Sequence, residues 1–209
     1  PQDCSGTSHY LLFCMQLLTP SKMIPIGTIA PEFVITDGIS KIKKNLEDLK
    51  GSNGTLIVFI CNHCPYVIHI LEHWVNFSNS LLNKGINTVA ISSNDIIKYP
   101  QDSPKLMKEL ALKHKFKFPY LFDHDQKIAK SYDATCTPDF FLFDNKSSLF
   151  YRGRYDDSRP NNSNPLTGND LKKAVRSMLN NNTSDFFQYP SMGCNIKWKQ
   201  GNEPENFFN

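Results

Sequence analysis

An α/β domain, with a central mixed β-sheet flanked by helices on both faces, is the fold class this sequence predicts. Two observations carry the prediction. Apolar runs of strand length alternate with segments of helical period between residues 31 and 113, and two later runs, 139–143 and 149–154, face each other across Asp144-Asn145 before a last amphipathic stretch. Repeated strand-helix units make parallel pairs, a hairpin makes antiparallel ones, and right-handed crossovers put helices on both sides of the sheet.

The elements follow in order. Pro31-Glu-Phe-Val-Ile-Thr36 reads as a short strand closed by Asp37-Gly38. A helix is expected next, with Ile42, Leu46 and Leu49 on one face, ending near Gly51. Thr55-Leu-Ile-Val-Phe-Ile60 is a continuous apolar run rich in branched residues, the pattern of a strand buried on both faces. It leads directly into Cys61, and beyond Pro65 a helical repeat of apolar residues runs from Val67 to Leu82, until Asn83-Lys-Gly85 stops it. Ile86–Ser92 is another strand, and Ser103-Pro104 opens a helix with Ser at the N-cap and Pro at the first helical position. Tyr120-Leu-Phe122, a short helix at Gln126–Tyr132, the hairpin Asp139–Phe143 and Leu149–Arg154, and a helix over Asp170–Leu179 complete the domain.

The chain starts at Pro1, while Met23-Ile-Pro-Ile-Gly27 has the look of a natural beginning, so residues 1–22 are read as a tail of unknown status. Residues 23–182 form the domain. Residues 183–209, with Pro190, Gly193, Gly201 and Pro204 and no hydrophobic period, read as an irregular extension.

Composition excludes several classes. With 40% hydrophobic and 21% charged residues the chain is too apolar for wholesale disorder. A net charge of +3, with lysines scattered along the sequence, argues for a solvated exterior and against a nucleic-acid surface. The apolar stretch Tyr10–Leu18 is interrupted by Gln16 and is far shorter than the roughly 20 residues of a membrane span. No basic residue precedes it and no small-x-small cleavage pattern follows, so neither membrane insertion nor secretion is expected, and a cytoplasmic location is favoured. Of six cysteines only Cys61 and Cys64 are closely spaced; Cys4, Cys14, Cys136 and Cys194 stand alone, which fits neither a disulfide-stapled scaffold nor a zinc ribbon.

A lone C-x-x-C therefore reads as a redox pair. Thiolate is the reactive form of cysteine, and a helix N-terminus favours that anion. The strand-to-helix junction puts Cys61 in this field, with Cys64 close enough to resolve a mixed disulfide and His63 as a nearby cation that would acidify the thiol. Buried structural cysteines or half of a metal site are the bland alternatives. His69 and His73 lie one helical turn apart, but their helix carries them away from the thiols, so they read as surface histidines. No metal and no cofactor are expected.

Cys61-Asn-His-Cys-Pro65 after a buried strand, with Thr137-Pro138 immediately before the strand Asp139–Phe143, resembles the thioredoxin superfamily. It is most similar to the peroxiredoxin-like (redoxin) branch related to alkyl hydroperoxide reductase and thiol-specific antioxidant proteins. Ser92-Ser-Asn-Asp95, Tyr99-Pro-Gln-Asp-Ser-Pro104, Phe118-Pro-Tyr-Leu121, Ala134–Phe140, Tyr151-Arg-Gly-Arg154 and Gly193-Cys-Asn-Ile-Lys-Trp198 look like that branch, so the resemblance runs from about Ile24 to Trp198. It implies a thioredoxin-like fold, a cis peptide at Pro138, and a role for Thr137 in presenting its backbone to an incoming peptide or mixed-disulfide partner. The departures matter. In the peroxiredoxin pattern P-x-x-x-T-x-x-C aligned on Cys64, Ile57 replaces the proline and Cys61 the threonine, and no arginine accompanies Thr137-Pro138; Arg152 and Arg154 lie on the next strand. Against thioredoxin, Ile60 replaces the tryptophan before the first cysteine, Asn-His replaces Gly-Pro, and Thr55 lies where a buried acid is usual.

The expectation is a thiol-disulfide oxidoreductase in which Cys61 attacks, Cys64 resolves, His63 stabilises the thiolate, and Thr137 and Pro138 position the substrate. A peroxiredoxin-like thiol peroxidase is the enzymatic alternative, and a non-catalytic binding protein of the same fold is the alternative of another class. Cys136 and Cys194 could each be an auxiliary thiol or a buried free cysteine. Asp156-Asp-Ser-Arg159 reads as a surface loop with Asp156 pairing Arg154. Partners would be protein or small-molecule disulfides and thiols with an electron donor that the sequence does not name.

Overall fold

A computed structural model describes residues 18–37 and 42–205. The elements are β1 (Leu18–Pro20), β2 (Val34–Thr36), β3 (Lys43–Asn45), α1 (Leu46–Leu49), β4 (Gly54–Phe59), α2 (Pro65–Leu81), β5 (Ile86–Ser92), α3 (Pro104–Lys113), β6 (Tyr120–Phe122), α4 (Lys127–Ser131), β7 (Cys136–Thr137), β8 (Asp139–Asp144), β9 (Leu149–Gly153), α5 (Asn169–Leu179) and β10 (Met192–Asn195). Cys4 and Cys14 lie outside the described residues.

The main sheet runs β6-β5-β4-β8-β9. β4 pairs parallel to β5 and antiparallel to β8, so the sheet is mixed as expected, with β4, buried throughout, at its centre. Alternate residues of β4 face opposite layers. Leu56 and Val58 pack with Val67, Ile70, Leu71 and Trp74 of α2 and with Leu171, Ala174 and Val175 of α5. Ile57 and Phe59 pack with Leu46 and Leu49 of α1 and Ile128 and Ala129 of α4. Helices thus cover both faces, which is why the strand reads as uninterrupted hydrophobicity. A turn at Gly85, φ 69, ends the helical segment after α2 and returns the chain to β5. Ser103 is the N-cap of α3, but its side chain makes no capping hydrogen bond.

Three expectations are corrected. The helix over residues 42–49 is a single turn: Lys43–Asn45 instead pairs with β2, and Asn45 and Asp48 form a capping box that starts α1 at Leu46. The irregular C-terminal extension contains β10, the middle strand of a three-stranded sheet β1-β10-β7, and its Ile196 and Trp198 are core residues. The strand is too short and too poor in branched residues to announce itself, and it exists because both neighbours pair with it. Its partner β1 draws residues 18–20 of the supposed tail into the fold. Among the described residues no helix is long and apolar enough to cross a membrane.

Candidate active site

β4 stays in register to Ile60, whose N–H reaches the Ile91 carbonyl at 2.9 Å, and the chain then turns through Cys61-Asn62-His63. α2 begins at Pro65, where the missing N–H costs nothing, and Cys64 is its N-cap, its carbonyl accepting from Val67 and Ile68. Cys61 and Cys64 are 1% and 0% exposed, and Cys61, Cys64, Cys136 and Cys194 are all free thiols. The Thr137–Pro138 bond is cis, and Thr137 faces both sulfurs of the pair. Cys64 Sγ lies 3.1 Å from its carbonyl, and Cys61 Sγ lies 3.5 Å from its Oγ1.

The two thiols share a proton unequally. A hydrogen bond from Cys61 to the Cys64 sulfur raises the Cys61 pKa well above the ordinary thiol value, and burial and the negative charges of Cys64 and Asp102 add to this. Burial also opposes ionisation of Cys64, but hydrogen bonds from the Cys194 thiol, from Cys61, from Thr137 and from the Cys194 backbone outweigh it and hold the Cys64 thiol well below its usual range. This differs from the sequence expectation, which made Cys61 the thiolate. Cys64 is the N-cap of α2, but its sulfur makes no capping hydrogen bond to the helix; the donors that reach it come from Cys194, Cys61 and Thr137.

His63 is also employed differently. Its Nδ1 lies 2.8 Å from Asp102 Oδ2, and its ring stacks on Tyr99 with centroids 5.5 Å apart. Asp102 is 0% exposed and organises the whole loop: its Oδ1 accepts from the Asn62 N–H at 2.8 Å, and its Oδ2 accepts from Asn94 Nδ2 at 2.8 Å. Tyr120 Oη donates to Asn62 Oδ1 at 3.0 Å, and Asn94 Oδ1 accepts the Lys197 N–H. Asp102, Asn94 and Tyr120 were not singled out by sequence reasoning. The signal was available, since all three fall in the stretches that carry the family resemblance, Asn94 and Asp102 in the connection from β5 to α3 and Tyr120 at the start of β6. Donor atoms of Cys61, His63 and Asp102 lie within 4.8 Å of one another and could together hold a borderline cation, although both Asp102 oxygens already accept hydrogen bonds.

The remaining candidates separate. His69 and His73 stay out of the cluster: His69 Nε2 meets Ser158 Oγ at 2.7 Å and His73 Nδ1 meets Tyr155 Oη at 2.6 Å. Cys136 is fully buried with its thiol raised by burial, its sulfur 3.9 Å from the Pro138 carbonyl. Arg152 is 0% exposed, pairs Asp139 at 3.2 Å and lies over Phe141, in the layer opposite the thiols. Arg154 pairs with Asp170 at 2.6 Å instead of Asp156. The Asp156 loop is not on the surface either. Asp156 and Ser158 are each 2% exposed, and the Asp156 carboxylate gathers the N–H groups of Ser158, Thr167 and Gly168. A buried carboxylate that caps a loop cannot be told from a solvated one by sequence alone.

The sequence profile of the AhpC/TSA family matches residues 26–152. An uncharacterized conserved protein from Geobacillus kaustophilus is 46% identical, superposes with a TM-score of 0.84, and the match covers 87% of this chain and 96% of that one. The thiol-disulfide oxidoreductase ResA of Bacillus anthracis is 28% identical over 140 residues, 67% of this chain and 75% of that protein. A putative thioredoxin from Neisseria meningitidis, 18% identical with a TM-score of 0.56 over 73% of this chain and 90% of its own, shares the thioredoxin-like fold.

Proposed function

Because the chain belongs to the AhpC/TSA family, we propose that it is a thiol-disulfide oxidoreductase whose redox couple is Cys61-Asn62-His63-Cys64. The observation that carries this reading is the pair of buried free thiols at the head of α2, both facing Thr137 at the cis Thr137–Pro138 bond, with Cys64 Sγ 3.1 Å from the Thr137 carbonyl and Cys61 Sγ 3.5 Å from its hydroxyl; the contact between them raises Cys61 and lowers Cys64. A thiolate beside a protonated thiol is the form needed for exchange. The Cys64 thiolate attacks one sulfur of a substrate disulfide R–S–S–R′, and R′–S⁻ leaves. Cys61 then attacks Cys64 Sγ, releasing R–S⁻. The Cys61 proton and one from solvent neutralise the two leaving thiolates, and the products are the Cys61–Cys64 disulfide and two thiols. The reverse sequence oxidises a dithiol.

Asp102 supports this chemistry by holding the Asn62 N–H and His63, which fixes the turn between the sulfurs. Thr137 and Pro138 line the reacting sulfurs. Substrates and electron donors are then disulfides and thiols of proteins or small molecules. Peroxide chemistry is disfavoured, because Ile57 and Cys61 replace the proline and threonine of the peroxidatic pattern and Arg152 is held by Asp139 in the opposite layer.

The test is turnover. With dithiothreitol as donor, the protein should accelerate reduction of insulin disulfides, and Cys61→Ser and Cys64→Ser should each lower that rate by roughly 100-fold. Steady-state consumption of hydrogen peroxide abolished by Cys64→Ser, without insulin reduction, would make the protein a thiol peroxidase. Thiols inert to disulfides and shielded from alkylation only by zinc would make it a binding protein.

A further inference from the structure

Four observations meet at β10. It pairs antiparallel with β7, with Cys194 opposite Thr137 and Asn195 opposite Cys136, and the Ile196 N–H reaches the Thr135 carbonyl at 3.0 Å. Gly193 lies against Thr137 so closely that a Cβ would collide with the Thr137 carbonyl. On the opposite edge β1 pairs with β10, Leu18 opposite Cys194, so the strand is held from both sides. Finally, Cys194 is paired with Thr137, whose carbonyl lies 3.1 Å from Cys64 Sγ, and its thiol and backbone N–H lower the Cys64 thiol. The backbone edge beside Pro138, expected from sequence to receive an incoming peptide, is already filled by a strand of the same chain that carries a cysteine.

Resting on the Cys61–Cys64 couple, we propose that Cys194 is a third thiol of the same site, exchanging with that couple through a Cys64–Cys194 disulfide while β10 stands in for a partner's docked strand. The exchange is balanced within the chain. Cys194 loses its proton, its thiolate attacks Cys64 Sγ of the Cys61–Cys64 disulfide, the bond between those two sulfurs breaks, and Cys61 leaves as a thiolate that takes up the proton. One disulfide replaces another, and nothing is oxidised or reduced overall.

Exposure gives the exchange a purpose. Cys61, Cys64 and Cys136 are each at most 1% exposed, whereas Cys194 is half-buried. An external thiol R–SH reaches Cys194 more readily than either sulfur of the couple. It attacks Cys194 Sγ and Cys64 leaves as thiolate; a second R–SH then resolves the mixed disulfide, yielding R–S–S–R and reduced protein. Electrons thus enter at Cys194, and a partner need not add a strand at Thr137. If Cys194 were merely a small apolar filler, its sulfur would never leave the thiol state.

Disulfide mapping decides. Wild type and Cys61→Ser are equilibrated with oxidised glutathione, quenched in acid, where thiols are protonated and exchange stops, and digested with pepsin. Wild type should contain Cys61–Cys64, which tests the couple itself. In Cys61→Ser the Cys64–glutathione mixed disulfide should be resolved by Cys194, so that most molecules carry a Cys64–Cys194 link. Cys64 left glutathionylated with Cys194 free would overturn the third-thiol role and leave the couple standing, whereas wild type without any disulfide would overturn both. Should Cys61→Ser not fold, the wild-type map decides alone: a Cys64–Cys194 fraction beside Cys61–Cys64 supports the exchange, and its absence contradicts it.

Discussion

Two thiols in hydrogen-bond contact inside a protein do not both ionise near neutral pH, because the second charge must form beside the first with little water to screen it. Which sulfur ionises first is decided by the donors that reach it, and at this site Cys64 receives them. If that ordering governs attack, the Cys61→Ser/Cys194→Ser double variant should accumulate a mixed disulfide on Cys64, and Cys64→Ser should form one on Cys61 at least about tenfold more slowly. Equal rates measured by intact mass would return the attacking role to Cys61. The Cys61/Cys64 motif itself is plain in the sequence. Asp102 is not, since an aspartate between Gln101 and Ser103 looks like any loop residue until the fold buries it beneath His63 and Asn62. A second buried acid makes a separate prediction. Burial lifts the Asp139 carboxyl to about 6 against the pull of Arg152. The unfolded chain, with an ordinary carboxyl near 3.9, gives up that proton first, so the stabilisation is complete below about pH 4 and is lost as pH rises through 6, on the order of 3 kcal/mol. Asp139→Asn cannot ionise and should gain on wild type across that window in urea unfolding; a stability difference that stays constant with pH would contradict the assignment.

Elements with strong periodicity were legible, and those held by tertiary pairing were not. β4 declares itself by the continuous apolar run Thr55–Ile60, and α2 by its apolar stripe from Val67 to Leu81. By contrast Lys43–Asn45 has no strand character of its own, and its pairing with Val34–Thr36 displaced the expected helix. β10 is the more consequential case, for its Gly193 reads as a breaker in sequence but is required by close approach to Thr137. Gly193→Ala should therefore push β10 off β7. We expect faster amide exchange in β10 and faster alkylation of Cys194, with β4 and β5 unchanged, as read by hydrogen-exchange mass spectrometry. Unaltered β10 protection would mean that the strand tolerates the extra carbon and is not seated as described.

At the scale of the whole molecule, the mixed sheet and its two helical layers follow from alternation and hydrophobic runs, and the Cys-x-x-Cys junction is where the proposed chemistry would occur. What sequence could not supply is the closure of the site by residues far away in the chain: β10 at one side and the Asp102 loop at the other, both brought in by the same fold. The proposed function requires Cys61 and Cys64 to be a reversible couple. Equilibrating the full chain in glutathione buffers from strongly reducing to strongly oxidising, with alkylation and mass mapping at each step, tests it most directly. One two-electron transition is expected, in which Cys61 and Cys64 lose their thiols together, at a potential on the order of those of disulfide exchangers, about −270 to −120 mV. Thiols at Cys61 and Cys64 that remain alkylatable through the most oxidising buffer would contradict it.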